Sequence, residues 1–185
     1  MNKKLENLGF EKDRTIETIL LTKKQGQINL APIGIRRKEQ DFLEAKIYKT
    51  TQAYSVLNEG DIVSLNLTND AELFFKSIFD KKIETEDFKI KKSDYIIKSR
   101  CKRIIEKENY IITHLIPKEV IKNKETKKGY CRANSAIIEA LVYYTKLDYE
   151  KRDKVERKIT QAKKVVKKTG GEKEKELIKK IISRI

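Results

Sequence analysis

The strongest constraint in this sequence is a change of period at Pro117, one of only two prolines. Upstream of it, apolar residues alternate or run together in short segments, as strands require. Downstream they recur every three or four residues, as helices require. Strands first and helices afterwards is the order of an α+β chain or of two separate modules. The spacing predicts a strand-rich part over residues 1–116 and a helical part of about three helices over residues 117–185.

Within the first part, residues 14–22 (RTIETILLT) read as a strand that becomes buried, Gly26 as a hairpin turn, and residues 28–35 (INLAPIGI) as the returning strand. Residues 42–48 alternate Phe42, Glu44, Lys46 and Tyr48 against Leu43, Ala45 and Ile47, a third strand. Thr51 is placed to cap a short helix that Asn58 and Gly60 end. DIVSLNL is a fourth strand, and Asp70 caps a helix carrying Leu73, Phe74 and Ile78. Two more strands flank a turn near Lys107–Asn109. Six antiparallel strands suggest a small barrel. In the second part, one helix presents Ile137, Ile138, Leu141 and Val142, and the next Val155, Ile159, Ala162 and Val166 before Gly170 and Gly171 end it. The last presents Leu177, Ile178, Ile181, Ile182 and Ile185.

Apolar and charged residues each make up 38 % of the 185 residues, and apolar runs recur along most of the chain, so it folds rather than staying disordered. The net charge is +15, and residues 116–185 hold 21 Lys/Arg against 10 Asp/Glu, so most of the excess lies there. Charge alone marks no site: it fits the solvated faces of lysine-rich helices as well as a nucleic-acid surface. The N-terminus is basic with no apolar core after it, so no signal peptide is expected, and no run is long enough to span a bilayer. Cys101 and Cys131 lie far apart with no CxxC pair, which points to the reducing cytoplasm.

Standard catalytic sets are absent. His114, the only histidine, lies in an apolar strand and reads as a packed, hydrogen-bonded core residue, and one His with two distant Cys gives a metal site almost no material. Glu84, Glu86 and Asp87 read as a solvated turn. Two stretches stand out. INLAPIGI is a good strand interrupted by Pro32, which gives up a ladder donor, and by Gly34, which offers no side chain to pack. It is an edge strand with a bulge, or something flat lies against its backbone. In YKTTQ, Lys49, Thr50 and Thr51 stand at a strand end before a helix start. That is a phosphate seat or an ordinary threonine N-cap, and spacing alone allows both.

NLAPIGI, IYKTTQAYSVLNEGDIVSLNL, the FF of the next helix and the later RANSAIIEALVYYTKL together resemble the flavin reductase-like branch of the FMN-binding split-barrel proteins. More closely, they resemble a mainly archaeal family of unknown function on that fold. The resemblance implies a six-stranded split barrel that forms a homodimer, with one FMN at each end of the interface. It places Asn29, Ala31, Pro32, Ile33 and Gly34 along the flavin ring, and Lys49, Thr50, Thr51 and Gln52 at the phosphate. Asn66 lies on the following strand, and Arg132 and Asn134 brace the site from the helical part. No residue stands out as an acid or base, so any reaction is the flavin's. A deazaflavin in place of FMN and a basic nucleic-acid-binding module are the alternatives, although no RNP or KH pattern accompanies Tyr143, Tyr144 and Tyr149, so no specific nucleic acid is expected.

Overall fold

The computed structural model describes residues 1–38, 42–79, 83–123, 129–144, 147 and 150–185. The chain forms two compact units. One comprises Met1–Phe10 and Ile16–Tyr130, the other Glu11–Thr15 and Cys131–Ile185.

The first unit is built on a closed six-stranded barrel. Its strands are β1 (Thr15–Lys24), β2 (Gln27–Arg37), β3 (Leu43–Tyr48), β4 (Ile62–Leu67), β7 (Tyr95–Glu106) and β8 (Tyr110–Lys122). The order around the barrel is β1-β2-β3-β8-β7-β4, and the antiparallel pairing of β4 with β1 closes it. Gln25 and Gly26, both at positive φ, make the two-residue turn between β1 and β2, the geometry that matches the strands' own twist. Alternation decides what enters the core. Ile111, Thr113, Leu115 and Pro117 of β8 are buried, while Ile112, His114 and Ile116 between them are half-buried on the outer face.

His114 is therefore not a core residue. It stacks on Phe42 at 4.2 Å between ring centroids, with Glu44 4.0 Å from its Nε2. The strand also outlasts Pro117 and runs on to Lys122. Pro117 faces Ser99 beside a register shift between Lys98 and Ser99, where the ladder can do without its N–H.

Three elements are not evident from the periodicity: α1 (Asn2–Asn7) and the two short strands β5 (Thr85–Glu86) and β6 (Lys89–Ile90), which pair only with each other. Together with α3 (Ala71–Ile78), β6 covers the outside of the barrel over β1 and β2. Ile19, Leu21, Leu30, Leu73 and Ile90 form a second cluster there, with Phe74, Ile83 and Phe88 packed against it. This is why β4 is buried from Val63 to Leu67 without alternation. Asp70 caps α3, its Oδ1 accepting the Glu72 N–H at 2.8 Å. Ile78, grouped with Leu73 by spacing, instead points to solvent beside Phe75 and Phe79.

The second unit packs α4 (Arg132–Tyr144), α5 (Arg152–Thr169) and α6 (Glu172–Ile182) against one another. Val155, Ile159, Ala162 and Val166 are buried as their spacing predicts, and so are Ile178 and Ile181. On α4 the buried face is Ala133, Ile137 and Ala140, while Ile138 and Leu141 are exposed, as is Leu177 on α6. Two alanines allow close helix approach, and that rotates α4 away from the face its larger residues suggest. The Val142 side chain lies outside the described residues.

At the foot of α6, the buried Arg14 meets the buried Glu174 at 3.3 Å and Glu11 at 3.0 Å. The other Glu174 oxygen accepts the Gly171 N–H at 2.9 Å. The amide of Asn134, set by its neighbours, donates to Glu174 at 3.2 Å and accepts from Arg14 at 2.8 Å.

Candidate functional site

Sheet pairing explains the interrupted strand. The β2–β3 ladder consists of Ile35–Ala45, Arg36–Glu44 and Arg37–Leu43. Beyond it, Lys46, Ile47 and Tyr48 of β3 pair with β8. The stretch from Asn29 to Gly34 thus has no β3 partner in that ladder, and Pro32, which has no N–H to give, falls on the split. Pro32 is exposed, and Ala31 and Gly34 are half-buried. Ile33 is buried, and its carbonyl accepts the Thr18 hydroxyl at 3.2 Å. Asn29 is buried too, with its amide 3.4 Å from the Thr22 hydroxyl.

The short helix α2 (Gln52–Val56) packs against both β2 and β3 and so bridges the split. Ala53 and Leu57 are its buried contacts, and Lys24 on the β1–β2 hairpin donates to the Ser55 carbonyl at 3.0 Å. The residues before the helix thus lead into an element that touches β2. Thr51 holds the N-cap position but does not cap: its hydroxyl donates back to the Tyr48 carbonyl at 2.7 Å. The Thr50 hydroxyl is exposed and bonds none of the described residues, and Gln52 is exposed at the first helical position.

Lys49 is more constrained. Its N–H donates to the Asn109 carbonyl at 3.2 Å, and its ammonium lies 2.7 Å from Glu106 Oε2. The hydrogen bond to Glu106 raises the Lys49 pKa above its ordinary value, so the ammonium is charged at neutral pH. Beside it runs an aromatic row that the sequence did not single out. Lys46 Nζ lies 3.8 Å from the centre of the Tyr110 ring and 4.7 Å from that of Tyr48, and Lys49 lies 5.9 Å from that of Tyr54. The alternation of LEAKIY gives the outward direction of Lys46 and Tyr48. Only the register, which sets Tyr48 opposite Tyr110, brings in the second ring.

Asn66 is wholly buried, and its amide is fully engaged. It donates to the Ile19 carbonyl at 3.1 Å and the Ser64 hydroxyl at 2.9 Å, and accepts the Ile90 N–H at 3.0 Å. It staples β6 to the barrel. Arg132 belongs to the helical unit, where it opens α4 with an exposed side chain.

The acidic turn is neutralised by lysines. Lys98 donates to Asp87 at 3.1 Å and holds its carboxyl below the usual range, and Lys91 lies 3.9 Å from Glu86. Among the described residues no group of three or more His, Cys, Asp or Glu could hold a metal ion, and no helix is long and apolar enough to cross a membrane. Burial, with help from Glu59 and Asp61, pushes the Cys101 thiol up to about 11, so it is no nucleophile at neutral pH.

The chain matches both parts of one family model, described as protein of unknown function (DUF447). The N-terminal domain matches over residues 16–124 and the C-terminal part over residues 131–183. An FMN-bound protein of that family from Methanosarcina mazei is similar over 98 % of this chain and 100 % of its own, with 21 % identity and a TM-score of 0.56. The flavin reductase HpaC, solved with NADP+, is similar over 71 % of this chain and 97 % of its own, at 11 % identity and a TM-score of 0.52. An FMN-binding protein from Thermus thermophilus with bound p-hydroxybenzaldehyde is similar over 60 % of this chain and 73 % of its own, at 6 % identity and a TM-score of 0.51. At these identities the likeness establishes a flavin reductase-like split barrel and nothing finer.

Proposed function

Because the chain belongs to the DUF447 family, we propose that it is an FMN-binding flavoprotein, with the cofactor at the split between β2 and β3. The observation that carries this is the stretch Ala31–Gly34, unpaired on its β3 side and open at Pro32, in contact through β2 with the short helix that follows Lys49 and the Thr50 hydroxyl, in a family with an FMN-bound member.

The residues fit the group. The backbone of Ala31, Pro32, Ile33 and Gly34 lies open along one edge, as close approach of a planar ring requires, and Asn29 anchors the start of that stretch. Thr50 offers a free hydroxyl, Thr51 one that can turn from Tyr48, Gln52 an amide and Lys49 a charge to a phosphate. Asn66 fits only as a support, since its amide is already spent holding β6. Bound FMN supplies one- and two-electron redox chemistry; the chain supplies position and charge.

The reading extends to a homodimer with a cofactor site at each end of its interface, so FMN affinity falls on dilution to monomer. Two free, buried cysteines fit a reducing cytoplasm.

Quenching of FMN fluorescence on titration with the protein tests the proposal, and a colourless protein that leaves the fluorescence unchanged overturns it. Thr50→Val/Thr51→Val weakens FMN by a few kcal/mol, at about 1.5–3 kcal/mol for each hydrogen bond to a charged group. Riboflavin, which lacks the phosphate, is spared. Equal loss of both ligands points to misfolding, not to a phosphate site.

A further inference from the structure

The turn between β7 and β8 grips Lys49 twice: the Asn109 carbonyl takes its backbone N–H, and Glu106, the last residue of β7, takes its ammonium. The turn is itself closed by the Lys107 N–H on the Tyr110 carbonyl at 2.9 Å. The carboxylate therefore sits on a fixed support, while its side chain is more than half exposed. It occupies the cation next in sequence to the free Thr50 hydroxyl. A carboxylate and a phosphate ask the same of a lysine, and an ammonium is a compact charge that both cannot hold equally well.

We propose that Glu106 competes with the flavin phosphate for Lys49, and so sets how strongly the site distinguishes FMN from riboflavin. This rests on the FMN reading above. A phosphate entering beside Thr50 has to draw the ammonium away from Glu106, so part of its attraction goes into breaking that pair. The pair also keeps a second negative charge close to the phosphate. Both effects weaken the hold on the phosphorylated ligand and leave the ring contacts along β2 untouched. A site of this kind suits a flavin that exchanges rather than one that stays.

The test is a double-mutant cycle on Lys49 and Glu106, with dissociation constants for FMN and riboflavin measured by fluorescence quenching. Glu106→Gln tightens FMN about two- to fivefold, the range a solvent-exposed ion pair commands, and leaves riboflavin unchanged. In a Lys49→Ala background the same substitution gives a smaller gain, and high salt narrows the difference between wild type and Glu106→Gln. FMN affinity that is unchanged or weaker in Glu106→Gln, with the melting temperature retained, overturns the proposal, as does a gain shared equally by riboflavin. A wild-type protein that binds neither ligand overturns the FMN reading, and the competition with it. One that binds both equally keeps a flavin but overturns the phosphate seat and the role given to Glu106.

Discussion

The two units bury polar groups in opposite ways. Among the described residues of the barrel unit the buried polar side chains are neutral: Thr18, Thr22, Asn29, Ser64, Asn66, Thr68, Ser77, Ser93, Ser99 and Thr113. Many of them share protons with nearby backbone, as Asn66 does with Ile19 and Ile90. In the helical unit the buried polar groups include a full ion pair, Arg14 with Glu174. A closed sheet satisfies its own backbone and leaves only small local needs, which hydroxyls and amides meet cheaply. Three short helices leave N-termini open, and here one carboxylate both caps α6 and holds a buried guanidinium. A charge is thus tolerated where it is shared, and excluded where nothing shares it.

The largest expected effect tests the charged half of this contrast. Glu174→Ala takes from Arg14 its buried partner, leaves it only the half-exposed Glu11, and costs the helical unit about 3 kcal/mol, read as faster hydrogen exchange across α4, α5 and α6. Arg14→Met/Glu174→Leu recovers much of that loss. If the single variant is nearly neutral, the pair is not what organises the unit.

The second tests whether the barrel refuses charge. Burial pushes the Cys101 thiol up to about 11 in the folded chain, against an ordinary 9.0. Its contribution is intact below pH 9. As pH rises toward 11 the unfolded chain loses its proton first, so stability falls by roughly 2–3 kcal/mol over that window. Cys101→Val removes this part of the alkaline slope, measured as the difference in unfolding free energy between the two proteins from pH 8 to 11. An identical slope in both means that the thiol ionises freely.

The third is smaller. Asn66→Ala strips the Ile90 N–H of its acceptor and costs about 1–3 kcal/mol, the usual penalty for one orphaned buried group. The loss shows in denaturant melts and in exchange at β6. A cost above that of Glu174→Ala would invert the comparison. The smallest is at the surface: Glu176→Gln, which breaks a solvent-screened pair with Lys180 at 2.7 Å, leaves the denaturant midpoint within error of the wild type.

The six barrel strands are legible because each keeps an apolar alternation or run, and the capping of α3 is legible from Asp70. The buried face of α4 is not, because Ala133 and Ala140 carry too little apolar weight to outvote Ile138 and Leu141. The outer layer escapes for a different reason: β5 and β6 are two residues each, too short to show a period. At the candidate site, the break at Pro32 and Gly34 is visible in sequence because both residues are costly in a paired strand. The partner of Lys49 is not, since Glu106 reaches it only through the register of the β7–β8 hairpin with β3.

The placement of Arg14 also bears on the order in which the molecule can be completed. During synthesis this arginine emerges near the start of the chain, and the carboxylate that neutralises it emerges near the end. Until α4 and α6 have been made, Arg14 lacks Asn134 and Glu174, although β1 next to it can already pair. Loop closure across so long a separation is slow relative to local hairpins. The barrel can therefore mature first, and the helical unit becomes a later event that waits for α6. Cutting the chain after Tyr130 does not free an intact barrel unit from its neighbour; it leaves behind a short strap whose arginine keeps only Glu11.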